Sequence, residues 1–582
     1  MSATAREARF RMVVERDLAV PMRDGTILYA DLYRPDAPGR FPALVMRTPY
    51  DKGQSTSPER EYFASRGYLV IVQDTRGRHS SQGQFVPFVH EHNDGHDTLR
   101  WAARLGQCNG VVGSVGQSYL GLVQYLAAPN APAELRAAAV TSGPVTYFED
   151  FIYRRGVFEL GWMLGYFITM VRDSLARQGL YEQERARLDS YLEDPKQRFS
   201  PLTLEHYLHL PLADWGERLG QGAPYFSDYL RNWRYGSYWE QTDLRGRIGE
   251  IDLPMFHIGS WYDVFQYDTL MMYQGMRRQA KSEASRRAQK LLMGPWAHLL
   301  PYSIPTSKGT GESDFGSEAL IELNAYQLRW FDYFLKGMAN GVLEEPPVRI
   351  FVMGRNQWRD EQEWPLTRTR YTKLYLHSEG HANSLRGDGR LSFTPPGEQP
   401  ADGYAYDPRN PVATRGGTVL SLPNGVYDQR EIEERADVLV YTGEILEREL
   451  EITGPVTLTL FASSSAPDTD FCAKLCDVRL DGYVQNLVEG VIRARFRESL
   501  SQPSPIKPGE VYRFSIDLWA TSHVVKPGHR LRLEITSSNF PRYDRNLNTG
   551  EDPMLGTRMQ VAQQRVFHDV RAPSHLVLPI IP

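Results

Sequence analysis

Cysteine is scarce in this chain. Three residues, Cys108, Cys472 and Cys476, cannot staple a scaffold of 582 residues, and so few thiols suit a reducing, cytoplasmic setting. Long apolar runs are missing as well. No stretch approaches the roughly 18 consecutive apolar residues of a membrane span, and the opening MSATAREARFRMVVERD lacks the apolar segment of a secretory leader. Charge of one sign never accumulates: the formal net charge of -5 comes from interspersed acidic and basic residues. That leaves no electrostatic footprint for nucleic acid or an anionic membrane. Internal repeats and low-complexity segments are absent too.

What is present is an ordinary globular composition, 41% hydrophobic, 12% aromatic and 24% charged, in a chain long enough for about three to four domains. Residues 11–35 read as a hairpin turning at Asp24-Gly25. PALVMRTPY (42–50), YLVIVQDTRG (68–77) and GVVGSVG (110–116) read as buried strands running into loops, with a helix expected near 94–105 capped by Asp94. Strands alternating with helices imply a parallel sheet covered on both faces. From 146 to 243 aromatic residues, Leu and Arg dominate, and FELGWMLGYFITMVRDSLARQG (158–179) reads as a helix, so this stretch is expected to be a helical cap. Sheet grammar returns in LPMFHIGSWYD (253–263) and QKLLMGPWAH (289–298), followed by an amphipathic helix over 317–336. From Pro347, short alternating strands beginning with VRIFVMG predict an all-β sandwich or jelly roll. The expected order is an α/β sheet domain over 1–145 and 244–346, interrupted by the cap at 146–243 and followed by the β domain at 347–582.

The local pattern richest in chemistry is Gly116-Gln117-Ser118-Tyr119-Leu120-Gly121, directly after a strand. A nucleophilic serine needs its hydroxyl raised on a sharp strand-to-helix turn, and small flanking residues allow that crowded backbone. The second glycine comes one residue later than in G-x-S-x-G. An incidental serine in a glycine-rich turn is the alternative. A serine must also have a base, and the base an orienting carboxylate. Asp263 and His298 follow Ser118 in the chain order of an α/β-hydrolase, each just past a strand, where catalytic groups gather in open α/β sheets. The oxyanion would be met by the backbone N–H of Tyr119 and by the hydroxyl of Tyr50, which ends MRTPY after an early strand. No cofactor is called for.

RTPYDKG, QDTRGRHSSQG, EHNDGHDTLRWAA, GSVGQSYLG, GSWYDVF and GPWAH occur in that order, and SSAPDTDFCAKLCDV and LRLEITSSNFPRYDRN follow near the C-terminus. As a set they resemble the CocE/NonD hydrolases, over nearly the whole chain and least over 150–250. The resemblance implies an α/β-hydrolase domain with a helical cap and a C-terminal jelly roll. By matching position it implies Ser118 as nucleophile, Asp263 and His298 as its triad partners, and Tyr50 with Tyr119 as the oxyanion hole. Within the family, α-amino acid ester hydrolases hold the substrate ammonium with carboxylates, part of them two and three residues after the triad aspartate. Here those positions are Phe265 and Gln266. An ammonium would be buried there without a partner, which is costly. Phe265 suggests an apolar acyl pocket instead, with Trp162 and its neighbours Phe158, Tyr166 and Phe167 in the cap.

The expectation is therefore a serine hydrolase that cleaves a small-molecule carboxylic ester. Xaa-Pro dipeptidyl-peptidase or α-amino acid ester hydrolase is the enzymatic alternative, and a binding module on an inactive hydrolase fold is the non-enzymatic one. His90, His92, Asp94 and His96 cluster like metal ligands, but they sit at a loop entering a helix, and no metal is expected. Arg76 in DTRG is expected to form an ion pair beneath the active-site loops, with a substrate carboxylate as its other reading. The oligomeric state is open, a homodimer or larger homo-oligomer included.

Overall fold

A computed structural model describes residues 7–53, 59–298 and 309–582. Ten strands form one sheet whose centre runs parallel; only its edges, the hairpin Met12–Pro21/Ile27–Pro35 and the strand Gln357–Glu361, pair antiparallel. The strand pleat sorts the core. Val45, Ile71, Ala138 and Val140 face one way, toward the helices Glu91–Ala103 and Tyr119–Ala127, and pack on Leu99, Leu122 and Leu126. Leu44, Met46, Val70, Ala137 and Ala139 face the other way, onto Leu328, Phe331 and Leu335 of the helix Leu323–Lys336. Both faces are thus covered, as apolar parallel strands require.

Three expectations need correction. The helix near 94–105 spans Glu91–Ala103 with His90 at its N-cap. Asp94 lies inside its first turn and is held by Arg76, whose Nε and Nη2 donate to it at 2.9 and 2.6 Å. The helix expected over 317–336 is a short 3-10 turn followed by Leu323–Lys336. The strand Val348–Val352, read as the first of the β domain, pairs in parallel with Gln289–Ala297 and extends the α/β sheet. Its run VRIFV carries no mark of which sheet will claim it.

Between the adjacent strands Leu135–Thr141 and Met255–Tyr262 the chain leaves the sheet and builds short helices around the longer Leu160–Arg177, on an almost wholly aromatic and aliphatic core. Beyond residue 370 the chain is β-rich, with eleven strands linked in one hydrogen-bonded network. The strand Leu450–Ser464 pairs along its length with Tyr512–Val525 and, on its other edge, with Ala562–Phe567 and His575–Ile581. Leu458, Leu460 and Ala462 fill the interior.

In the strand Asp470–Val478, Phe471, Ala473 and Leu475 enter that interior, while Cys472, Lys474 and Cys476 share the opposite face. The two thiols are free and buried. Cys476 donates to Glu534 Oε1 at 3.6 Å, and Glu433 accepts from Arg532 at 2.7 Å alongside. Burial pushes the Glu534 carboxyl up to about 8, with Glu433 adding to the shift and Lys474 opposing it. Unfolded, a glutamate titrates near about 4.3. Between these values the folded chain holds a proton that the unfolded chain has released, so this group's contribution to stability declines as pH rises through the window. Thermal denaturation at about pH 5.5 and pH 8 should show that decline, and Glu534→Gln should flatten it; an unaltered slope in the variant would assign the titration to another group.

Candidate active site

The strand Cys108–Gln117 lies between Phe41–Thr48 and Leu135–Thr141 near the middle of the sheet and runs directly into the helix Tyr119–Ala127. Ser118 joins them at φ 61° and ψ −122°, a conformation that L-residues adopt only under constraint. Its N–H donates to the Thr141 carbonyl (2.9 Å), and its own carbonyl accepts from Gly121 and Leu122 (2.8 and 2.9 Å). The glycines make the turn feasible. A Cβ on Gly116, at φ 157°, would lie 2.5 Å from Leu120 Cβ. One on Gly121 would lie 3.0 Å from Gly143 Cα and 3.1 Å from the Thr141 carbonyl. The second glycine is late because the closest approach to the neighbouring strand falls at 121, leaving position 120 free for Leu.

Asp263 and His298 leave the ends of the next two strands, Met255–Tyr262 and Gln289–Ala297. His298 Nε2 lies 2.9 Å from Ser118 Oγ, and Nδ1 lies 3.0 Å from Asp263 Oδ1. Asp263 is 0% exposed and His298 1%. The Phe265 N–H also donates to Asp263 Oδ1 (2.7 Å), fixing the carboxylate from its own loop. Gln117 Nε2 donates to the His298 carbonyl and ties the histidine loop to the nucleophile's strand.

The rings of Tyr50 and Tyr119 meet edge-on with centres 6.2 Å apart. The Tyr50 hydroxyl lies close to Ser118 and Tyr166, and burial pushes the phenol up, so it is a proton donor at neutral pH. Tyr119 differs: its side chain runs away from the site, donating to Glu91 Oε1 at 2.9 Å, and Glu91 also accepts from Arg47 (2.6 Å). Only the Tyr119 backbone N–H, at the first position of the helix, is free of any helical carbonyl and available to the site.

Phe265 and Trp162 do come together, with Phe265 beside His298. The Phe265 ring meets His298 edge-on at 5.2 Å, stacks on Phe151 at 5.9 Å and 3°, and meets Trp162 at 6.0 Å. Tyr166 packs on Trp162 at 5.6 Å, and Trp162 Nε1 is buried with no partner among the described residues. Phe158 and Phe167 lie farther into the cap, against Phe226 at 6.5 and 5.0 Å. Gln266 is elsewhere: it donates to the Trp261 and Ala520 carbonyls (2.9 and 2.6 Å) and accepts from the Ala520 N–H (3.1 Å). It is a tether to the β-rich portion, not a wall of the pocket. Arg76 is engaged by Asp94 and by Asp24 (2.8 Å) and has no view of the serine. His96 Nδ1 is 2.7 Å from the Asn130 carbonyl, and Cys108 is buried with its thiol pushed up by burial.

Several supporting residues escaped the sequence reading. Arg78 donates from Nε to the Pro49 carbonyl (2.9 Å), just before Tyr50, and from Nη1 to the Met170 carbonyl in the cap helix (2.8 Å). Leu420 and Leu422 reach in from the β-rich portion to the core that holds Phe265 and Trp162. Arg78 lies within the motif QDTRGRHSSQG, which was a signal of sorts; Leu420 and Leu422 had none.

A sheet of this topology with a serine raised at its centre and a histidine and aspartate on the next strands defines a serine hydrolase of the α/β-hydrolase class. Comparison with known proteins agrees. Residues 24–300 match the family described as X-Pro dipeptidyl-peptidase (S15 family), and 340–577 match the X-Pro dipeptidyl-peptidase C-terminal non-catalytic domain. The chain is 38% identical to the cocaine esterase of Rhodococcus sp. (strain MB1 Bresler), over 98% of each. It superposes on an aminopeptidase from a marine sediment archaeon, Thaumarchaeota archaeon, with a TM-score of 0.81 at 24% identity, covering 98% of this chain and 97% of that one. An α-amino acid ester hydrolase gives 0.79 at 24%, covering 99% and 98%. The chain belongs to the CocE/NonD family of hydrolases.

Proposed function

We propose that this enzyme hydrolyses carboxylic esters through an acyl-enzyme on Ser118. The observation that carries the reading is the continuous line from Asp263 Oδ1 through His298 to Ser118 Oγ, ending on a serine held in a strained turn. As Oγ attacks the ester carbonyl, His298 Nε2 takes its proton, and Asp263 holds the other ring nitrogen and stabilises the imidazolium. The carbonyl oxygen becomes an oxyanion met by the Tyr50 hydroxyl and the Tyr119 N–H. Collapse expels the alcohol, which receives the proton from His298. Water then repeats the sequence on the acyl-enzyme and releases the acid. The relationship to a cocaine esterase favours an ester over a peptide bond, and Phe265, Phe151 and Trp162 suit a neutral aromatic or medium aliphatic acyl group. Burying a benzoyl-sized group there contributes on the order of 2 kcal/mol at about 25 cal/mol per Å².

Ser118→Ala should fold normally and lose about 10⁴-fold or more in kcat; a folded variant that keeps most of its ester turnover would remove Ser118 from the mechanism.

Tyr50→Phe should cost about 10²–10³ in kcat with little change in KM, because an oxyanion donor acts on the transition state. A loss confined to KM would make Tyr50 a packing residue.

An α-ammonium on the acyl group would be desolvated against Phe265 without a counter-charge. Phenyl acetate or a benzoate ester should therefore exceed phenylglycine methyl ester in kcat/KM at pH 7, and the gap should narrow at pH 9 as the amine becomes neutral. Preference for the amino ester at pH 7 would overturn the apolar reading of the pocket.

A further inference from the structure

The cap segment between the helices Tyr181–Asp189 and Leu204–Tyr207 places one cation at the outer end of the site. The Arg198 guanidinium carbon lies 4.5 Å from the ring centre of Tyr50 and 4.9 Å from that of Phe199. Phe199 fixes the backbone beneath it. Its ring stacks on Tyr166 at 5.6 Å and 22° and meets Tyr50 edge-on at 5.8 Å. Its N–H donates to Thr169 Oγ1 (3.2 Å), and its φ of 58° is one that a bulky residue keeps only when held.

Three other arginines of this region are paired with carboxylates. Arg172 donates to Asp189 at 2.9 Å, Arg187 to Glu184 at 2.7 Å, and Arg78 sits 3.3 Å from Asp173. Arg198 is exposed and has neither an ion-pair nor a hydrogen-bond partner among the described residues. Stacking occupies the face of a guanidinium and leaves its in-plane N–H fork free, the arrangement that binds a carboxylate through two parallel hydrogen bonds. The position also has a direction. The acyl wall of Phe265, Phe151 and Trp162 is buried. The Tyr50 hydroxyl lies close to Ser118, and Arg198, which is exposed, covers the same ring, so the open side left for the alcohol is the side that Arg198 occupies.

We propose that Arg198 is a specificity residue for the alcohol side of the substrate, and that the enzyme favours esters whose leaving group carries a carboxylate. The proposal rests on the ester hydrolase reading above. It goes beyond it in naming the charge of the half of the substrate that the aromatic pocket does not hold.

The test compares 4-carboxyphenyl benzoate with 4-carbamoylphenyl benzoate, which share an acyl group and a leaving-group shape. Each kcat/KM is normalised to the ester's own alkaline hydrolysis rate. The wild-type ratio should favour the carboxylate about fivefold, the scale of one partly exposed charge pair (~1 kcal/mol). It should fall to near unity in Arg198→Gln, invert in Arg198→Glu, and shrink as ionic strength rises from about 0.02 to about 0.5 M. A ratio unchanged in Arg198→Gln would overturn the proposal. So would an equal slowing of both esters in that variant, since Arg198 would then act through Tyr50 and not on the substrate. The underlying reading fails separately: if neither ester is turned over in a Ser118-dependent way, the ester hydrolase assignment falls, and this one with it.

Discussion

The backbone of Ser118 is the constraint from which the rest of the site follows. A φ of 61° on a residue with a side chain costs on the order of 1–3 kcal/mol, and nothing local repays it. The neighbouring strand does: the Thr141 carbonyl holds the serine N–H, and the helix can approach that strand only because residues 121 and 143 are both glycine. The same distortion lifts Oγ out of the sheet toward His298 and starts a helix whose first amide has no carbonyl to serve. The raised Ser118 hydroxyl and the free Tyr119 amide are therefore one structural event, and the buried Glu91, which Tyr119 and Arg47 both reach, stiffens it from below.

Residue types in hydrogen-bond contact are not sufficient to make such a site. In the β-rich portion another serine, histidine and aspartate meet. Ser378 donates to Asp402 at 2.7 Å, and His568 Nε2 lies 3.1 Å from Ser378 Oγ and 2.9 Å from Asp402. There a single ring nitrogen faces both partners, so the imidazole cannot pass a proton from one side to the other. All three residues are fully buried, and the Ser378 backbone is unstrained. That cluster joins the ends of the strands Arg370–His377, Asp402–Tyr406 and Ala562–Phe567. Of the two clusters, only the one at Ser118 sets the serine and the carboxylate on different ring nitrogens.

The difference explains how far the chain could be read in advance. Ser118, Asp263 and His298 were legible because each ends a strand whose apolar run is unmistakable and because their order along the chain matches the topology. Phe265 was legible by its offset from Asp263. Gln266, one residue on, was read on the same offset and misplaced, because a helix begins there and turns it toward Ala520. Asp94 was taken for a cap because a cap and an ion-pair partner look alike in one dimension. The strand Val348–Val352 was assigned to the wrong sheet because its composition suits either. Arg78 and Arg198 act across the fold, on a loop or a ring far away in sequence, and no periodicity records such contacts.

The tether at Gln266 bears on how the protein comes apart. Three hydrogen bonds join a residue three positions beyond Asp263 to the chain around Ala520 and Trp261, and the Tyr262 hydroxyl donates to the Asn486 carbonyl at 2.9 Å. The aspartate loop is thus spliced to strands of the β-rich portion on both sides. Loosening those strands would withdraw the carboxylate from His298 before the α/β sheet itself had melted. The portion of the chain that holds none of Ser118, Asp263 and His298 thus anchors the loop on which the hydrogen bond to His298 depends.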